Sequence, residues 1–342
     1  MEQHKERYSN AFTATLSGIL DLFRKQKNVV TINDEDKLTG KNIMITGASS
    51  GLGFEAAVQL AKRGGKAYMA CRSGIPQKGE LVKQLSGSSK VEMLPVDLSD
   101  MDSIVKLVNT LKAQQVKLDI LVCNAAVVPL KSRKTKQGLE EMFMVNYLAT
   151  YMLVRLLFEN DLMNTGRGEA PRIIFVASES HRNPKDFDWE GFGKYEEFTA
   201  GKTVEYYGYY KLLLGTFANE LSRRLNPAGK INCSVFALCP GPVNTNIARE
   251  APVVFKPVLK LVFALFFRSP AVAVRPLVYF ATSKEVNGKS MDYLFLLSRK
   301  EMDEKTTDEK NGQKLWQLSE ELLAKHGVVF NKAMVDGAKV QA

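Results

Sequence analysis

Cysteine is scarce in this chain and shows no pattern. Cys71, Cys123, Cys233 and Cys239 form no C-x-x-C pair and no metal-ligand spacing, so neither a metal centre nor a disulfide framework is expected. Three of the four sit in apolar, strand-like runs, the setting of small buried hydrophobes in a reducing compartment. Basic runs are missing too. Lys and Arg outnumber Asp and Glu by 47 to 37, but they are scattered, and no nucleic-acid partner is expected. The surplus suits a phosphate-bearing cofactor or an anionic membrane surface. No apolar h-region precedes residue 40, which argues against a cleaved secretory signal. No stretch reaches the roughly 18 uninterrupted apolar residues of a membrane span. The nearest, 253–267, is interrupted by Lys256, Pro257 and Lys260. No repeat or low-complexity block breaks the chain. A cytoplasmic globular protein is expected, with membrane contact no more than peripheral.

What is present is a regular alternation. Residues 1–37 read as an amphipathic helix and linker, with Tyr8, Phe12, Leu16, Ile19, Leu20 and Phe23 at helical spacing. From 38 to 327, strand-like runs alternate with helical ones. Strands are expected at 42–46, 66–71, 91–96, 119–123, 172–177, 231–238 and 291–297. Helices are expected from the glycine turn to about 63, near 100–115, at 137–163, at 203–225, and beyond Asp308. Such alternation predicts one α/β domain, a Rossmann-type doubly wound parallel sheet of about seven strands with helices on both faces. Residues 328–342 read as a polar tail.

The first strand runs into Thr46-Gly-Ala-Ser-Ser-Gly-Leu-Gly53. Glycines at 47, 51 and 53 permit a tight turn and let the backbone of Ser49, Ser50 and Leu52 come close to a phosphate. The helix that follows aims its unpaired amides at the same place. A second candidate lies downstream. Tyr207 and Lys211 are four residues apart, on one face of a helix. An unperturbed phenol titrates near ~10, and a neighbouring cation lowers that value, so the pair can serve as proton donor and acceptor.

The glycine spacing is not G-x-G-x-x-G; it resembles the T-G-x-x-x-G-x-G of short-chain dehydrogenases/reductases. From Leu38-Thr-Gly40 to Trp316-Gln-Leu-Ser-Glu-Glu-Leu322 the layout looks like the retinol-dehydrogenase-like branch. The resemblance implies a dinucleotide cofactor. Asp97, with Leu98 beside it, would contact the adenine. Asn124 and Ala125 resemble the middle of the family's N-N-A-G, with Cys123 and Ala126 departing from its ends. Ser178 would orient the substrate oxygen, Asn146 would belong to a proton-relay tetrad, and Tyr207 and Lys211 would complete the catalytic set. Pro240, Gly241, Val243 and Thr245 resemble the family's P-G-x-V-x-T on the nicotinamide side. Where an NAD site places a carboxylate after the second strand, this chain has Arg72, which suits a 2′-phosphate and so favours NADP(H).

The run from Ala251 to Arg268 is strongly apolar, and in this fold 251–282 would cover the substrate. A hydrophobic alcohol, aldehyde or ketone is expected, such as a retinoid, steroid or lipid carbonyl. The composition fits a lid packed on its own protein, a homodimer contact, or shallow insertion of 253–267 at an anionic bilayer. His181, between Ser178 and Tyr207, reads as a loop residue near the pocket rim. Two other functions use the same motifs. One is reduction of a carbon–carbon double bond, as in protochlorophyllide reductases; the other is a catalytically silent NADP(H)-binding scaffold.

Overall fold

Side-chain alternation decides which way each strand faces. In β1 (Asn42–Thr46) Ile43 and Ile45 enter one apolar layer and Met44 the other, as a period of two requires. In β6 (Ser234–Cys239) Phe236 and Leu238 face one layer and Val235, Ala237 and Cys239 the other. Strands apolar on both faces belong in a parallel sheet covered twice by helices. The computed structural model, which describes residues 29–166, 168–243 and 268–331, contains that sheet.

The remaining strands are β2 (Lys66–Cys71), β3 (Val91–Pro95), β4 (Ile120–Cys123), β5 (Arg172–Val176), β7 (Met291–Phe295) and β8 (Ser298–Arg299). Their order is β3-β2-β1-β4-β5-β6-β7-β8, and only β8 runs antiparallel to its neighbour. One face is covered by α1 (Gly51–Lys62) and α7 (Arg275–Thr282), whose Ala56, Leu60, Leu277 and Val278 join the layer of Ile43 and Phe236. The other is covered by α3 (Met101–Ala113), α4 (Glu141–Glu159), α5 (Thr203–Leu225) and α9 (Glu309–Lys325). Their Leu107, Met152, Phe217 and Trp316 join the layer of Met44. Shorter helices are α2 (Gln77–Ser86), α6 (Pro270–Ala273) and α8 (Glu304–Thr307). Among the described residues α4 alone is long and apolar enough to cross a membrane, and 83% of its apolar window is buried in the fold. It is a core helix.

Several boundaries differ from the expected ones for identifiable reasons. The long helix expected at 137–163 starts only at Glu141, because the Glu140 carboxylate accepts the Phe143 amide at 2.8 Å as a cap. The sixth strand begins at Ser234 rather than 231. Upstream, the Asn226 side-chain oxygen accepts the Asn232 and Cys233 amides at 2.9 and 3.1 Å and holds them in a turn. The seventh strand stops at Phe295, since Leu296 takes φ +58 and reverses the chain into an eighth. The amphipathic helix expected at 8–26, lid residues 251–267 and tail residues 332–342 lie outside the described residues. At the near end, the Val30 amide reaches the Leu297 carbonyl at 2.8 Å and Asp34 pairs with Arg63 at 2.8 Å.

Candidate active site

Strand order reverses between β1 and β4, so a crevice opens at their carboxyl ends. β1 leaves the sheet through Gly47 at φ +67, and Gly51 opens α1 at φ +57, conformations that cost glycine little. A Cβ on Gly53 would stand 2.4 Å from the Asn124 side-chain Nδ2 and 2.5 Å from the Gly47 carbonyl oxygen. The turn is as tight as its glycines allow. Ser50, at the N-cap of α1, is extended and makes no side-chain cap hydrogen bond. The first amides of the helix therefore keep their donor capacity and positive potential for an anion.

Thr46 organises the floor of this crevice, a role the motif reading missed. Its hydroxyl oxygen accepts the Asn124 and Ala125 amides at 3.0 and 3.2 Å and donates to the Val122 carbonyl at 3.3 Å. The Asn124 side chain donates to the Thr46 and Gly47 carbonyls at 2.9 and 3.3 Å, so its carboxamide braces the glycine turn. Ala126 is not among the residues of positive φ, and the loop needs no glycine there. Further along the edge Arg72 follows β2 and stands 3.6 Å from the Asp97 carboxylate. Burial pushes the Asp97 carboxyl up, but the Ser99 hydroxyl and amide and the Arg72 guanidinium outweigh it and leave it below the usual range. Leu98 is buried beside it. Beyond β6, Pro240 leads to Gly241 at φ +73, and Val243 bridges to Arg268, whose amide reaches the Pro242 carbonyl at 2.9 Å. Thr245 lies outside the described residues.

Ser178 ends β5 at the same edge. Its hydroxyl oxygen accepts the Ser180 amide at 3.2 Å and the Ser180 hydroxyl at 2.9 Å. Both lone pairs are then used, and the Ser178 proton is left to donate elsewhere. Tyr207 and Lys211 come from α5, and Lys211 is 2% exposed. Desolvation of the Tyr207 hydroxyl raises its pKa to about 12, the neighbouring Cys239 adding to the rise, while a hydrogen bond from Ser178 pulls it down. Burial brings the Lys211 ammonium down to about 8. The expectation that Lys211 holds the phenol acidic is not met in this structure. Its Nζ stands 5.7 Å from the Tyr207 ring centre and donates to the Val176 carbonyl at 2.7 Å. Spacing puts the two residues on one helix face without bringing ammonium and hydroxyl together.

Asn146, 1% exposed, sits in a π-helical turn, Met144–Leu148, within α4. Its side chain accepts the Val127 amide at 2.8 Å and donates to the Val127 carbonyl at 2.9 Å. It ties α4 to the loop after β4, whose first residue is Asn124. His181 is not at a rim. It is fully buried, held between Ser178 and Asp303. Of the other phenols near Tyr207 on α5, Tyr206 donates to Glu196 and Tyr209 to the Asp188 carbonyl. At the opposite, amino edge of the sheet Lys41 pairs with Asp119 and Glu169 at 3.7 and 3.6 Å. Those charges answer one another and mark a structural contact. The four cysteines are buried and free.

Known proteins resemble this chain in sequence and fold. A family model described as short chain dehydrogenase matches residues 41–188. Retinol dehydrogenase 14 of Homo sapiens is 30% identical over 304 residues, covering 84% of this chain and 87% of its own length. WW domain-containing oxidoreductase of Gallus gallus is 34% identical over 297 residues, covering 84% of this chain and 69% of its own. Among solved structures, an uncharacterised protein from Mycobacterium paratuberculosis superposes with a TM-score of 0.67 at 23% identity. The match covers 89% of this chain and all of that one, a likeness of fold.

Proposed function

The chain belongs to the short-chain dehydrogenase/reductase family, in its retinol-dehydrogenase-like branch, and from that premise we propose an NADP(H)-dependent oxidoreductase acting on a hydrophobic alcohol and its aldehyde or ketone. The observation that carries this reading is the convergence, on one sheet edge, of an uncapped helix N-terminus with Ser178, Tyr207 and Lys211.

The residues fit a phosphorylated dinucleotide. The positive-φ turn at Gly47 and Gly51 leaves no room for a side chain at Gly53 and presents free amides to a pyrophosphate. Arg72 supports the phosphorylated form. Its pairing with Asp97 is long, at 3.6 Å, and both side chains are substantially exposed. Such a pair contributes little, so the guanidinium is free to turn to a 2′-phosphate. When bound, the nicotinamide supplies or accepts the hydride. The protein's own residues supply alignment and the proton. Ser178 would turn its hydroxyl proton from Tyr207 to the substrate oxygen and orient it. Tyr207, neutral at working pH, gives its proton to that oxygen in reduction and retrieves it in oxidation. Lys211 places a buried positive charge beneath the phenol ring, favouring the phenolate that forms.

Two features support an apolar substrate. Relatives across 84% of the chain bear the name retinol dehydrogenase, and the run 251–267 is rich in Val, Leu and Phe. We extend the proposal to peripheral contact of 253–267 with anionic membrane and to a homodimer; liposome flotation and sedimentation test these. The intact Ser178, Tyr207 and Lys211 weigh against a silent scaffold. The activity is tested by mixing purified protein and NADPH with all-trans-retinal, decanal and an apolar ketone. NADPH consumption with one of them supports the reading; none with any, against a folded and NADPH-binding protein, rejects it.

A further inference from the structure

His181 follows Ser178 by three residues, in the 3-10 turn Glu179–Arg182, and is 0% exposed. A buried imidazole needs partners for both nitrogens. Nε2 lies 3.1 Å from the Asp303 amide nitrogen, and an amide N–H can only donate. Nε2 is therefore the lone-pair side and Nδ1 carries the proton. Nδ1 stands 2.6 Å from the Ser178 carbonyl oxygen, which accepts it. The same carbonyl accepts the His181 backbone amide at 3.1 Å. One residue thus supplies two donors to the carbonyl of the serine whose hydroxyl faces Tyr207. Burial, with Arg182 nearby, pushes the His181 pKa down to about 4, so the ring stays neutral and the pattern stands at working pH.

The other end of the link leads back to Tyr207. Asp303 caps α8, accepting the Lys305 amide at 3.1 Å on Oδ1 and the Thr306 hydroxyl at 2.7 Å on its carbonyl. Thr306 and the neighbouring Met302 press on α5 at Gly215, where an added Cβ would stand 2.7 Å from the Met302 methyl and 3.3 Å from Thr306. One residue past Tyr207, a Cβ on Gly208 would stand 3.0 Å from the Ser180 carbonyl. The turn that holds Ser178 is therefore gripped directly by α5 on one side. On the other it is gripped through His181, Asp303 and α8.

We propose that His181 is a positioning residue, joining the Ser178 backbone to the α8–α5 unit so that the Ser178 and Tyr207 hydroxyls keep their mutual register. It touches neither substrate nor cofactor. The inference rests on the reading of Ser178 and Tyr207 as the hydroxyls that meet the reacting oxygen.

Two substitutions separate the two hydrogen bonds. His181→Asn retains an amide donor near Nδ1, for Ser178, and loses Asp303. His181→Gln retains an acceptor near Nε2, for Asp303, and loses Ser178. With NADPH and all-trans-retinal or decanal as probes, His181→Gln should lower kcat about tenfold or more, the scale of a misplaced reacting group. His181→Asn should lower kcat as well, because the link is then cut at Asp303. KM for NADPH should move less than about twofold in either, and both should lose similar thermal stability. Full turnover in either folded variant, or a KM for NADPH that rises as kcat falls, would overturn the proposal. Ser178→Ala runs alongside. If it loses turnover while His181→Gln does not, only the His181 inference falls; if it keeps turnover, the Ser178 reading falls and takes the inference with it. A readout without turnover is the 15N spectrum of histidine-labelled protein carrying His4→Gln and His326→Gln, in which His181 is the one histidine left. The proton must lie on Nδ1, the less common tautomer in water; a proton on Nε2 overturns the proposal even if no His181 variant folds.

Discussion

The Lys211 ammonium lies 5.7 Å from the centre of the Tyr207 ring and gives its hydrogen bond to the Val176 carbonyl, 2.7 Å away. It stands against the phenol ring rather than at the hydroxyl, from within the core. Burial brings its pKa down to about 8, so the charge present below that pH disappears as pH rises through it. The proposed mechanism needs that charge, and kcat/KM reports groups of the free enzyme. In the direction of reduction, kcat/KM should fall as pH rises through about 8. Lys211→Arg, slower overall, should lack that limb because a guanidinium keeps its charge. A wild-type profile flat to pH 10 would remove Lys211 from the mechanism.

Ser178 and Ser180 share a hydrogen bond of 2.9 Å but have different roles. Ser178→Ala removes the donor to the substrate oxygen and should lower kcat about a hundredfold or more, the cost of losing one such donor. Ser180→Ala removes only the partner that fills a lone pair on Ser178, and a loss of no more than about fivefold is expected. Steady-state kinetics of the two variants checks the order; a larger effect at Ser180 would reverse the assignment.

Arg72 pairs loosely with Asp97. Hydrogen bonds to a charged group contribute about 1.5–3 kcal/mol. Arg72→Ala should therefore weaken NADPH binding about ten- to hundredfold while leaving NADH within about twofold. Fluorescence titration of both cofactors decides it, and equal weakening would reject contact with the 2′-phosphate.

Gly53 has no space for a methyl group, since a Cβ there would stand 2.5 Å from the Gly47 carbonyl oxygen and 2.4 Å from the Asn124 side-chain nitrogen. Gly53→Ala should cost about 1–3 kcal/mol of stability by overpacking and weaken dinucleotide binding as the turn opens. Denaturant melts and cofactor titration measure both. An alanine variant as stable and as tightly binding as wild type would mean that the turn has room for a side chain.

The elements that could be read from the sequence were those written locally. Period-two runs such as Ile43, Met44 and Ile45 announce a strand buried on both faces. The glycine turn and the Tyr207–Lys211 spacing lie within a few residues of chain. The family likeness added Ser178, Asn146 and Asp97, which no local pattern singles out. Helix α2 escaped notice because it buries only Gly79 and Val82, too few apolar positions for a visible stripe. Depth was invisible as well. Spacing of four aligns Tyr207 with Lys211 but does not say that Lys211 turns to a strand carbonyl. His181 could not be placed from the sequence at all, since its second partner, Asp303, is 122 residues away.

The hydroxyl of Tyr207 is the one proton source the account requires, and Tyr207→Phe removes it while leaving the ring that packs beside Lys211. General acid–base groups contribute about 10²–10⁴-fold. NADPH-dependent reduction of the best apolar aldehyde or ketone should therefore fall by at least about a hundredfold, with the Kd for NADPH within about twofold of wild type. Turnover within about threefold of wild type would contradict the account.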